Sequence, residues 1–542
     1  MRGLMQDWPL RCARVLDHAA AVHGRRAVVS RLVEGPVERT DWATIRTRSL
    51  KLAQHLARWC LKRGDRVATL AWNTHRHIEA WYGAMGAGGV YHTLNPRLFP
   101  EQLIHIVNHA GDRLILADAC FAPLLEALAP KLPSVERYVF LTDEAHMPQT
   151  SLPGACASES LIAEADGDFA WVEGEENEAA GMCYTSGTTG DPKGVLYSHR
   201  SNVLHGMAVM APDVFGQSSR AVVLPVVPLF HANGWGLGFA APMAGAGMAL
   251  PGPRLDGASL LELLDDAGVT CTAAVPTVWL GLLKHLDETG QRPKTLKRVV
   301  IGGAAAPRAM TQAFQDRYGI EVIHAWGMTE TSPLGTVCAI KPDFADLEGE
   351  AKLDLQASQG CPPFGVELGL TDDEGAVLAR DGAAVGRLKI RGPWIAARYF
   401  GEDRDALCPK GFFDTGDVAT LDPHGYLRIT DRAKDVVKSG GEWISSIAIE
   451  NIAMSHENVF EAAVIGVPHP RWDERPVLVV VPKPGQNPTR DEILRHLEGK
   501  IAKWWTPDDV VFVEALPHTA TGKVSKRDLR ASLRDYRLPT AS

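Results

Sequence analysis

Short apolar runs alternate with helical segments through the first 320 residues of this 542-residue chain. Helices are predicted over 41–63, 77–87 and 100–110, and buried strands over 66–71, 90–94 and 114–117. The pattern returns between 220 and 318, with predicted strands at 220–227, 270–275 and 298–301 and a helix at 307–318. Strands separated by helices in this way favour βαβ units, which place the strands in a parallel sheet. The chain is therefore predicted to be an α/β protein.

The pattern changes after residue 362. Short alternating strands are predicted at 366–370, 386–390 and 425–429, each bounded by glycine-rich turns, which indicates a small β-rich subdomain. From residue 432 strands (462–466, 477–481) and helices (490–502, 526–537) mix again. We therefore predict a large N-terminal body over 1–431, built of α/β subdomains plus the β-rich one, and a small α+β unit over 432–542.

Composition and charge exclude several classes of protein. With 56 Lys and Arg against 65 Asp and Glu, the net charge is −9, so a nucleic-acid partner is not expected. Nine cysteines are scattered without a CxxC pair, as is typical of free thiols in a reducing cytoplasm. The first ten residues lack the apolar run of a secretory signal. Residues 232–253 carry no charge but are interrupted by glycines and prolines, so we predict a buried, broken loop and helix and no membrane span.

The stretch from Tyr184 to Val195 is the first to carry chemistry. It reads Tyr-Thr-Ser-Gly-Thr-Thr-Gly-Asp-Pro-Lys-Gly-Val, so hydroxyls, glycines and one lysine are concentrated in a short loop after an apolar run. Glycines let backbone N–H groups approach an anion, hydroxyls donate hydrogen bonds, and lysine supplies charge. The P-loop pattern fails because Gly194 follows Lys193, and no GxGxxG occurs. The loop is predicted to hold phosphate.

This loop resembles the phosphate loop of the adenylate-forming acyl-CoA synthetase superfamily, which also includes luciferases and peptide-synthetase adenylation domains. Seven further stretches match that family in the same order, and the resemblance covers about residues 15–535. They are Pro-Leu-Phe-His at 228–231, Gly-Gly-Ala-Ala-Ala-Pro at 302–307, His-Ala-Trp-Gly-Met-Thr-Glu at 324–330, Asp-Thr-Gly-Asp at 414–417, Asp-Arg-Ala-Lys-Asp at 431–435, Lys-Ser-Gly-Gly-Glu at 438–442 and Thr-Gly-Lys at 521–523.

The resemblance implies an ATP-dependent, AMP-forming acid–CoA ligase. A carboxylic acid, ATP and coenzyme A would give acyl-CoA, AMP and diphosphate through an acyl-adenylate, with Mg²⁺ as cofactor. The sequence of residues 1–10 and the general character of the chain's sequence are similar to those of bacterial methylmercaptopropionate–CoA ligases and their medium-chain fatty acyl relatives. The expected acid is therefore 3-methylmercaptopropionate, with a medium-chain fatty acid as the alternative and a luciferase-like oxidoreductase as a more distant one.

The resemblance also implies a nucleotide site. Thr185 and Glu330 would hold the metal, Thr329 would contact the α-phosphate, Trp326 would face adenine, and Asp417 would accept from the ribose hydroxyls. Lys523, Thr329 and His231 are the implied catalytic residues, and Lys523 would stand between the two reacting anions. The implied ATP-binding set is Thr185, Ser186, Gly187, Thr188, Thr189, Gly190, Lys193, Gly302, Gly303, Ala304, Ala305, His324, Ala325, Trp326, Gly327, Met328, Thr329, Asp417, Arg432 and Lys523.

The remaining implied residues concern the acid, coenzyme A and assembly. Trp235 would gate the acid pocket, and the 432–542 unit would be a mobile lid that swings about a hinge near 431–435. A homodimer is expected, since this family often pairs through its large domain. The implied acid pocket is His231, Trp235, Gly302, Trp326, Gly327 and Pro333, and the implied coenzyme A site is Lys434, Lys438, Gly440, Gly441, Glu442, Trp443, Glu474 and Lys526.

Overall fold

The computed structural model describes residues 1, 3–185, 191–433, 436–439, 442–518 and 524–539, with the backbone only at Glu442 and Trp443. Its helices are α1 (Ala13–His23), α2 (Trp42–Arg58), α3 (His75–Gly86), α4 (Pro100–Ala110), α5 (Ala122–Leu128), α6 (Ser158–Glu164), α7 (His199–Met210), α8 (Leu237–Ala244), α9 (Gly257–Asp266), α10 (Pro276–Thr289), α11 (Arg308–Gln312), α12 (Gly349–Gln356), α13 (Ser446–Met454), α14 (Arg490–Leu497) and α15 (Lys526–Ser532).

The strands follow the same numbering along the chain. They are β1 (Ala27–Arg31), β2 (Val37–Asp41), β3 (Arg66–Leu70), β4 (Val90–Thr93), β5 (Asp112–Ala117), β6 (Arg137–Phe140), β7 (Cys156–Ala157), β8 (Ala179–Tyr184), β9 (Gly194–Ser198), β10 (Val222–Pro225), β11 (Gly247–Leu250), β12 (Cys271–Ala274), β13 (Arg298–Ile301), β14 (Glu321–Trp326), β15 (Thr336–Val337), β16 (Glu367–Thr371), β17 (Gly386–Arg391), β18 (Leu407–Cys408), β19 (Phe412–Leu421), β20 (Leu427–Arg432), β21 (Val437–Ser439), β22 (Glu442–Ile444), β23 (Val459–His469), β24 (Asp473–Pro482) and β25 (Asp509–Phe512).

The first sheet runs in the order β7-β6-β5-β3-β4-β8-β9. Every pair in it is parallel except β8 with β9, so the predicted βαβ alternation is confirmed. The helix predicted at 41–63 is shorter than expected. It begins at Trp42, where the Asp41 side chain accepts from Thr44 N at 2.8 Å, and ends at Arg58, shortly before Cys60 takes a positive φ of 56°.

The second sheet runs β15-β14-β13-β12-β10-β11-β1-β2 and is parallel between β14 and β1. The predicted buried, broken segment at 232–253 is confirmed. A 3₁₀ turn over Ala232–Gly236 leads into α8 and then into the buried strand β11. Within the described residues, none of the helices has both the length and the apolar character that crossing a membrane requires. All nine cysteines are free thiols.

The third sheet is the predicted β-rich subdomain, antiparallel in the order β16-β17-β19-β18 with β20 beside β19. The fourth sheet, β22-β21-β24-β23 with β25 beside β24, packs against α13 and α14. These features confirm the α/β fold with a large body and a small α+β C-terminal unit. The helices predicted at 490–502 and 526–537 are too long, since they end at Leu497 and Ser532. The bounds 1–431 and 432–542 stay a prediction.

The buried imidazole of His77 makes stability depend on pH. Its two ring nitrogens lie 3.0 Å from Trp72 O and 2.8 Å from Thr69 Oγ1, and burial lowers its pKa to about 4. Below pH 6.5 the unfolded chain therefore takes up a proton that the folded chain refuses, and stability falls as the pH drops toward 4. His77→Gln should remove about 1.4 kcal/mol per pH unit of this dependence, measured by denaturant unfolding at pH 7 and pH 5. The exposed His18 gives the control His18→Gln, and an unchanged pH dependence in His77→Gln contradicts the prediction.

Candidate active site

A cleft of about 2990 Å³ lies where the strands of both parallel sheets end. Thr185 follows β8, Gly302 follows β13, and Trp326 is the last residue of β14. Open α/β sheets bind ligands at the carboxyl ends of their strands because the connecting loops converge there. Residues of α13 and α15, in the C-terminal part of the chain, also line the cleft. The walls of the cleft therefore come from both the large N-terminal part and the small C-terminal part.

The cleft brings together most of the residues that the sequence singled out. Lys438 and Glu474 do not line it. Ser186, Gly187, Thr188, Thr189, Gly190, Lys434, Gly440, Gly441 and Lys523 lie outside the described residues, as do the side chains of Glu442 and Trp443. Those that line it are Thr185, Lys193, His231, Trp235, Gly302, Gly303, Ala304, Ala305, His324, Ala325, Trp326, Gly327, Met328, Thr329, Glu330, Pro333, Asp417, Arg432 and Lys526.

One end of the cleft concentrates charge and hydroxyl groups. Lys193 N donates to Thr185 Oγ1 at 3.1 Å, and Thr185 N donates to Lys193 O at 2.9 Å, so these two residues are held together. Lys193 Nζ lies 4.5 Å from the centre of the Tyr399 ring and 3.0 Å from Glu402 Oε1. The Tyr399 hydroxyl donates to Glu330 Oε1 at 2.7 Å. Cation, phenol and carboxylate thus stand in a row beside the loop.

Burial and a hydrogen bond to the backbone fix the positions of these groups. Burial, and then the neighbouring Glu330 carboxylate, raise the pKa of Tyr399 above its ordinary value, so the phenol remains a donor. The backbone of Thr329, the residue before Glu330, is also fixed, since the buried Tyr197 hydroxyl donates to Thr329 O at 2.8 Å. Thr329 and Glu330 are themselves buried. Their positions are set before any ligand arrives.

Another part of the cleft suits a nucleoside. Trp326 Nε1 donates to Asp417 Oδ2 at 3.2 Å, and Arg432 Nε lies 2.8 Å from Asp417 Oδ1. The indole lies directly on Gly335, where a Cβ would come within 2.4 Å of the ring. Asp417 is 2% exposed, and it sits on β19 opposite Arg432 on β20. A flat aromatic face and a fixed carboxylate therefore stand side by side.

A third, apolar part of the cleft surrounds Trp235. A Cβ on Gly302 would lie 2.8 Å from the indole Cη2, so glycine is what lets this ring reach the end of β13. Trp235 takes a positive φ of 55° within a run of left-handed residues, which turns its side chain inward and leaves it 8% exposed. Gly327 is equally tight, because a Cβ there would overlap Pro333 O. His231 is half-buried at the same wall.

The C-terminal part of the chain holds the described members of the predicted coenzyme A set in two groups. Lys526 Nζ lies 2.9 Å from Glu450 Oε1 and 3.7 Å from Asp431 Oδ2, and it donates to Ser446 Oγ. Burial raises the pKa of Asp431 despite the nearby ammonium. Lys438 N donates to Glu474 Oε2 at 3.1 Å. The roles of these residues toward coenzyme A stay predictions.

Sequence reasoning missed several residues of this site. Tyr399 and Glu402 both contact Lys193 at the charged end of the cleft, although they belong to no motif in the chain. His205, Val209 and Phe215 line the apolar part of the cleft, on and after α7. The spacing of His205 and Val209 places them on one helix face, but the same spacing occurs in ordinary core helices. Only the packing of α7 beside Gly236 reveals them.

Comparison with known proteins gives a consistent result. The family model described as AMP-binding enzyme matches residues 16–400, and that of the AMP-binding enzyme C-terminal domain matches 448–523. A 3-methylmercaptopropionyl-CoA ligase of Ruegeria lacuscaerulensis is 49% identical over 535 residues, which are 99% of both chains. A medium-chain-fatty-acid–CoA ligase of Ectopseudomonas oleovorans is 46% identical over 542 residues, covering 100% of this chain and 99% of its own. The ATP-bound crystal structure of MatB from Rhodopseudomonas palustris aligns with a TM-score of 0.81 and 26% identity, over 96% of this chain and 99% of that one.

Proposed function

Because the chain belongs to the family of AMP-binding enzymes, we propose that it is an AMP-forming acid–CoA ligase. The observation that carries the proposal is one cleft with three distinct parts. Lys193, Tyr399 and Glu330 mark a phosphate end, Trp326 and Asp417 mark a nucleoside end, and Trp235 closes an apolar part against Gly302. An acid and ATP placed in these parts meet at the centre.

The reaction has two displacements. A carboxylate oxygen of the acid attacks the α-phosphorus of ATP, and the bond from that phosphorus to the bridging oxygen breaks, so diphosphate leaves. The thiol sulfur of coenzyme A then attacks the acyl carbon, loses its proton, and expels AMP. Phosphoryl transfer offers little covalent work to the protein, so positioning and charge stabilisation account for most of the catalysis.

Individual residues of the cleft, together with Lys523, account for this positioning and charge stabilisation. Asp417 accepts from the ribose hydroxyls, the Trp326 face carries adenine, and Arg432 contacts ribose or phosphate beside Asp417. Thr329, whose backbone Tyr197 pins, donates to the α-phosphate. His231 stands at the wall between the acid and the nucleotide. Lys523 carries the neutralising charge in the first displacement.

The donor set at the phosphate end fits Mg²⁺. Thr185 and Glu330 offer a hydroxyl and a carboxylate oxygen, the hard ligands that this ion prefers. Within the described residues no group of three His, Cys, Asp or Glu side chains forms a metal cage. That agrees with an ion held by one or two protein oxygens together with nucleotide phosphates and water. When bound, the ion would neutralise phosphate charge.

We propose 3-methylmercaptopropionate as the acid. The relatives that act on it by name are 49% and 50% identical to this chain, and a medium-chain-fatty-acid–CoA ligase is 46% identical. The thioether acid has the size of a short aliphatic chain, which suits an apolar pocket closed by Trp235. A medium-chain fatty acid remains the alternative, because an apolar pocket separates such acids by only a few kcal/mol.

Trp235→Ala is expected to shift the acid preference toward longer chains. Removing the indole opens the pocket at Gly302, so the kcat/KM ratio of octanoate to 3-methylmercaptopropionate should rise by about tenfold or more. The matched control is Trp504→Ala, since that side chain is 40% exposed on the lid. A ratio equal to that of the wild type, in a variant with a wild-type melting temperature, contradicts the gating role.

Diphosphate release tests the proposed function. The purified protein is given ATP, Mg²⁺ and a panel of acids from C3 to C8 together with 3-methylmercaptopropionate, with and without coenzyme A. Acid-dependent diphosphate release and coenzyme A-dependent AMP and thioester formation support the ligase. ATP hydrolysis that ignores both acid and coenzyme A, or light emission with a luciferin, overturns it.

The remaining parts of the proposal concern the cellular location, the oligomeric state and the motion of the C-terminal unit. The absence of paired cysteine motifs supports a cytoplasmic protein. The homodimer rests on the family resemblance, and sedimentation equilibrium at two protein concentrations tests it. The swinging lid rests on the matched hinge stretch at 431–435 and on the cleft between body and lid.

A further inference from the structure

His205 occupies an unusual place beside the acid pocket. It lies on α7, and it lines the cleft together with Val209, one helical turn further along the same face. Its side chain is 1% exposed. The sequence motifs of the nucleotide site do not include it, and the reaction proposed above assigns it no step.

The imidazole is held in one position by its neighbours. A Cβ on Gly236 would come within 2.4 Å of its Nδ1 and Cε1, so the ring lies flush against the residue that follows the gating Trp235. The Trp394 ring is 6.2 Å away at an angle of 76°, and Trp394 Nε1 donates to Leu334 O at 2.9 Å. Leu334 lines the same cleft. His205 is thus part of the wall that Trp235 closes.

One nitrogen of this imidazole ring, Nε2, is buried without a hydrogen-bond partner among the described residues. Leaving a buried polar atom without a partner destabilises a protein, and a fold tolerates this where a ligand supplies the partner. Burial lowers the pKa of His205 to about 3, so the ring is neutral at pH 7 and carries one N–H donor and one acceptor.

We propose that His205 is a specificity-determining residue that recognises a heteroatom in the acid's tail. With its single proton on Nε2, the neutral imidazole donates to a sulfur or oxygen near the far end of a short acyl chain. This inference rests on the proposed acid–CoA ligase function, which it deepens by naming the chemical class of the acid. A tail with an acceptor atom satisfies the buried imidazole, whereas a plain alkyl tail of the same length leaves it without a partner.

Three acids of equal length separate this role from simple packing. They are 3-methylmercaptopropionate, 3-methoxypropanoate and pentanoate, which differ only in the atom at one position of the chain. The wild type should use the thioether and the ether acid with kcat/KM values about three- to tenfold above that of pentanoate. His205→Leu, which keeps apolar bulk and removes the donor, should bring the three values together. His205→Gln retains a donor and should keep part of the preference.

The matched control is Val209→Ala on the same face of α7. It widens the same wall without changing a polar atom, so all three kcat/KM values should change together and their ratios should stay constant. Melting temperatures of all three variants accompany the kinetics. The wild-type ratios need no variant, so the inference can be tested even if His205→Leu does not fold.

The outcomes are separable from those of the proposed function. If none of the acids supports diphosphate release, the ligase proposal fails first. If the acids are activated but pentanoate equals the two heteroatom acids in the wild type, the role of His205 is overturned while the ligase stands. If the kcat/KM ratios of the heteroatom acids to pentanoate are unchanged in a folded His205→Leu variant, the proposed role of His205 is overturned as well. His205 is then only a packing residue.

Discussion

Lys523→Ala is expected to lower the rate of acyl-adenylate formation by roughly 100- to 1000-fold. The residue follows Thr521 and Gly522 in the last matched stretch of the chain and lies outside the described residues. Two anions, the carboxylate of the acid and the α-phosphate, must approach each other in this step, and a point positive charge between them offsets their repulsion. Loss of one such stabilising group in other enzymes has an effect of this size.

The second half-reaction provides the discriminating measurement. If the lid swings between two poses, Lys523 leaves the nucleotide before coenzyme A attacks. Thioester formation from supplied acyl-AMP should then change by less than about tenfold in Lys523→Ala. The control is Lys503→Ala, an exposed lysine of the same unit. Equal losses in both half-reactions would falsify the assignment of Lys523 to adenylation.

Asp417→Asn is expected to raise the KM for ATP by roughly 10- to 100-fold. The buried carboxylate holds Trp326 Nε1 with one oxygen and Arg432 Nε with the other. An amide group keeps one acceptor oxygen and presents N–H groups where the second oxygen stood. Hydrogen bonds to a charged group contribute about 1.5–3 kcal/mol each, so the loss of one reaches this range. If Trp326 carries adenine and Asp417 accepts from ribose, as proposed, the substitution weakens both contacts together.

The KM for ATP is measured both in the control variant and in Asp417→Asn. Asp346→Asn changes an exposed carboxylate outside the cleft and should leave the KM for ATP unchanged. In Asp417→Asn the KM for the acid at saturating ATP should change much less than that for ATP. A wild-type KM for ATP in a folded Asp417→Asn variant would show that the nucleoside binds elsewhere.

Local patterns were sufficient to predict much of the fold. The helix and strand periods between 41 and 117 predicted the βαβ units, and the uninterrupted match of short motifs predicted the family. The ends of elements were predicted less well. The helix begun at Arg490 ends at Leu497, because Glu498 takes an extended ψ of 133° and Gly499 then takes a positive φ of 73°. That glycine is a stop signal in the sequence, and the predicted end at residue 502 lies beyond it.

Only part of the site was predicted from the sequence, because several of its contacts join segments that are far apart in the chain. Gly302 and Trp235 are far apart in the chain, and the direct packing of the indole on that glycine depends on how β13 and the turn at Ala232–Gly236 meet. Tyr399 contacts both Lys193 and Glu330 although it belongs to no motif. These contacts join segments whose distance in space no spacing in the sequence records.

The sequence alone thus determined the chemistry that this chain can offer. Glycines, hydroxyls, lysines and carboxylates in a particular order predict a phosphate loop and a nucleoside site, and the alternation of apolar runs with helical segments predicts a fold with parallel strands, because each prediction depends on short-range residue preferences. The tertiary structure alone decided which of these groups face one another. Trp235 lies against Gly302, and His205 keeps a buried nitrogen beside Gly236, only because distant segments such as α7, Gly236 and Trp394 pack together. Close packing between distant segments creates such sites, and it exists only in the folded chain.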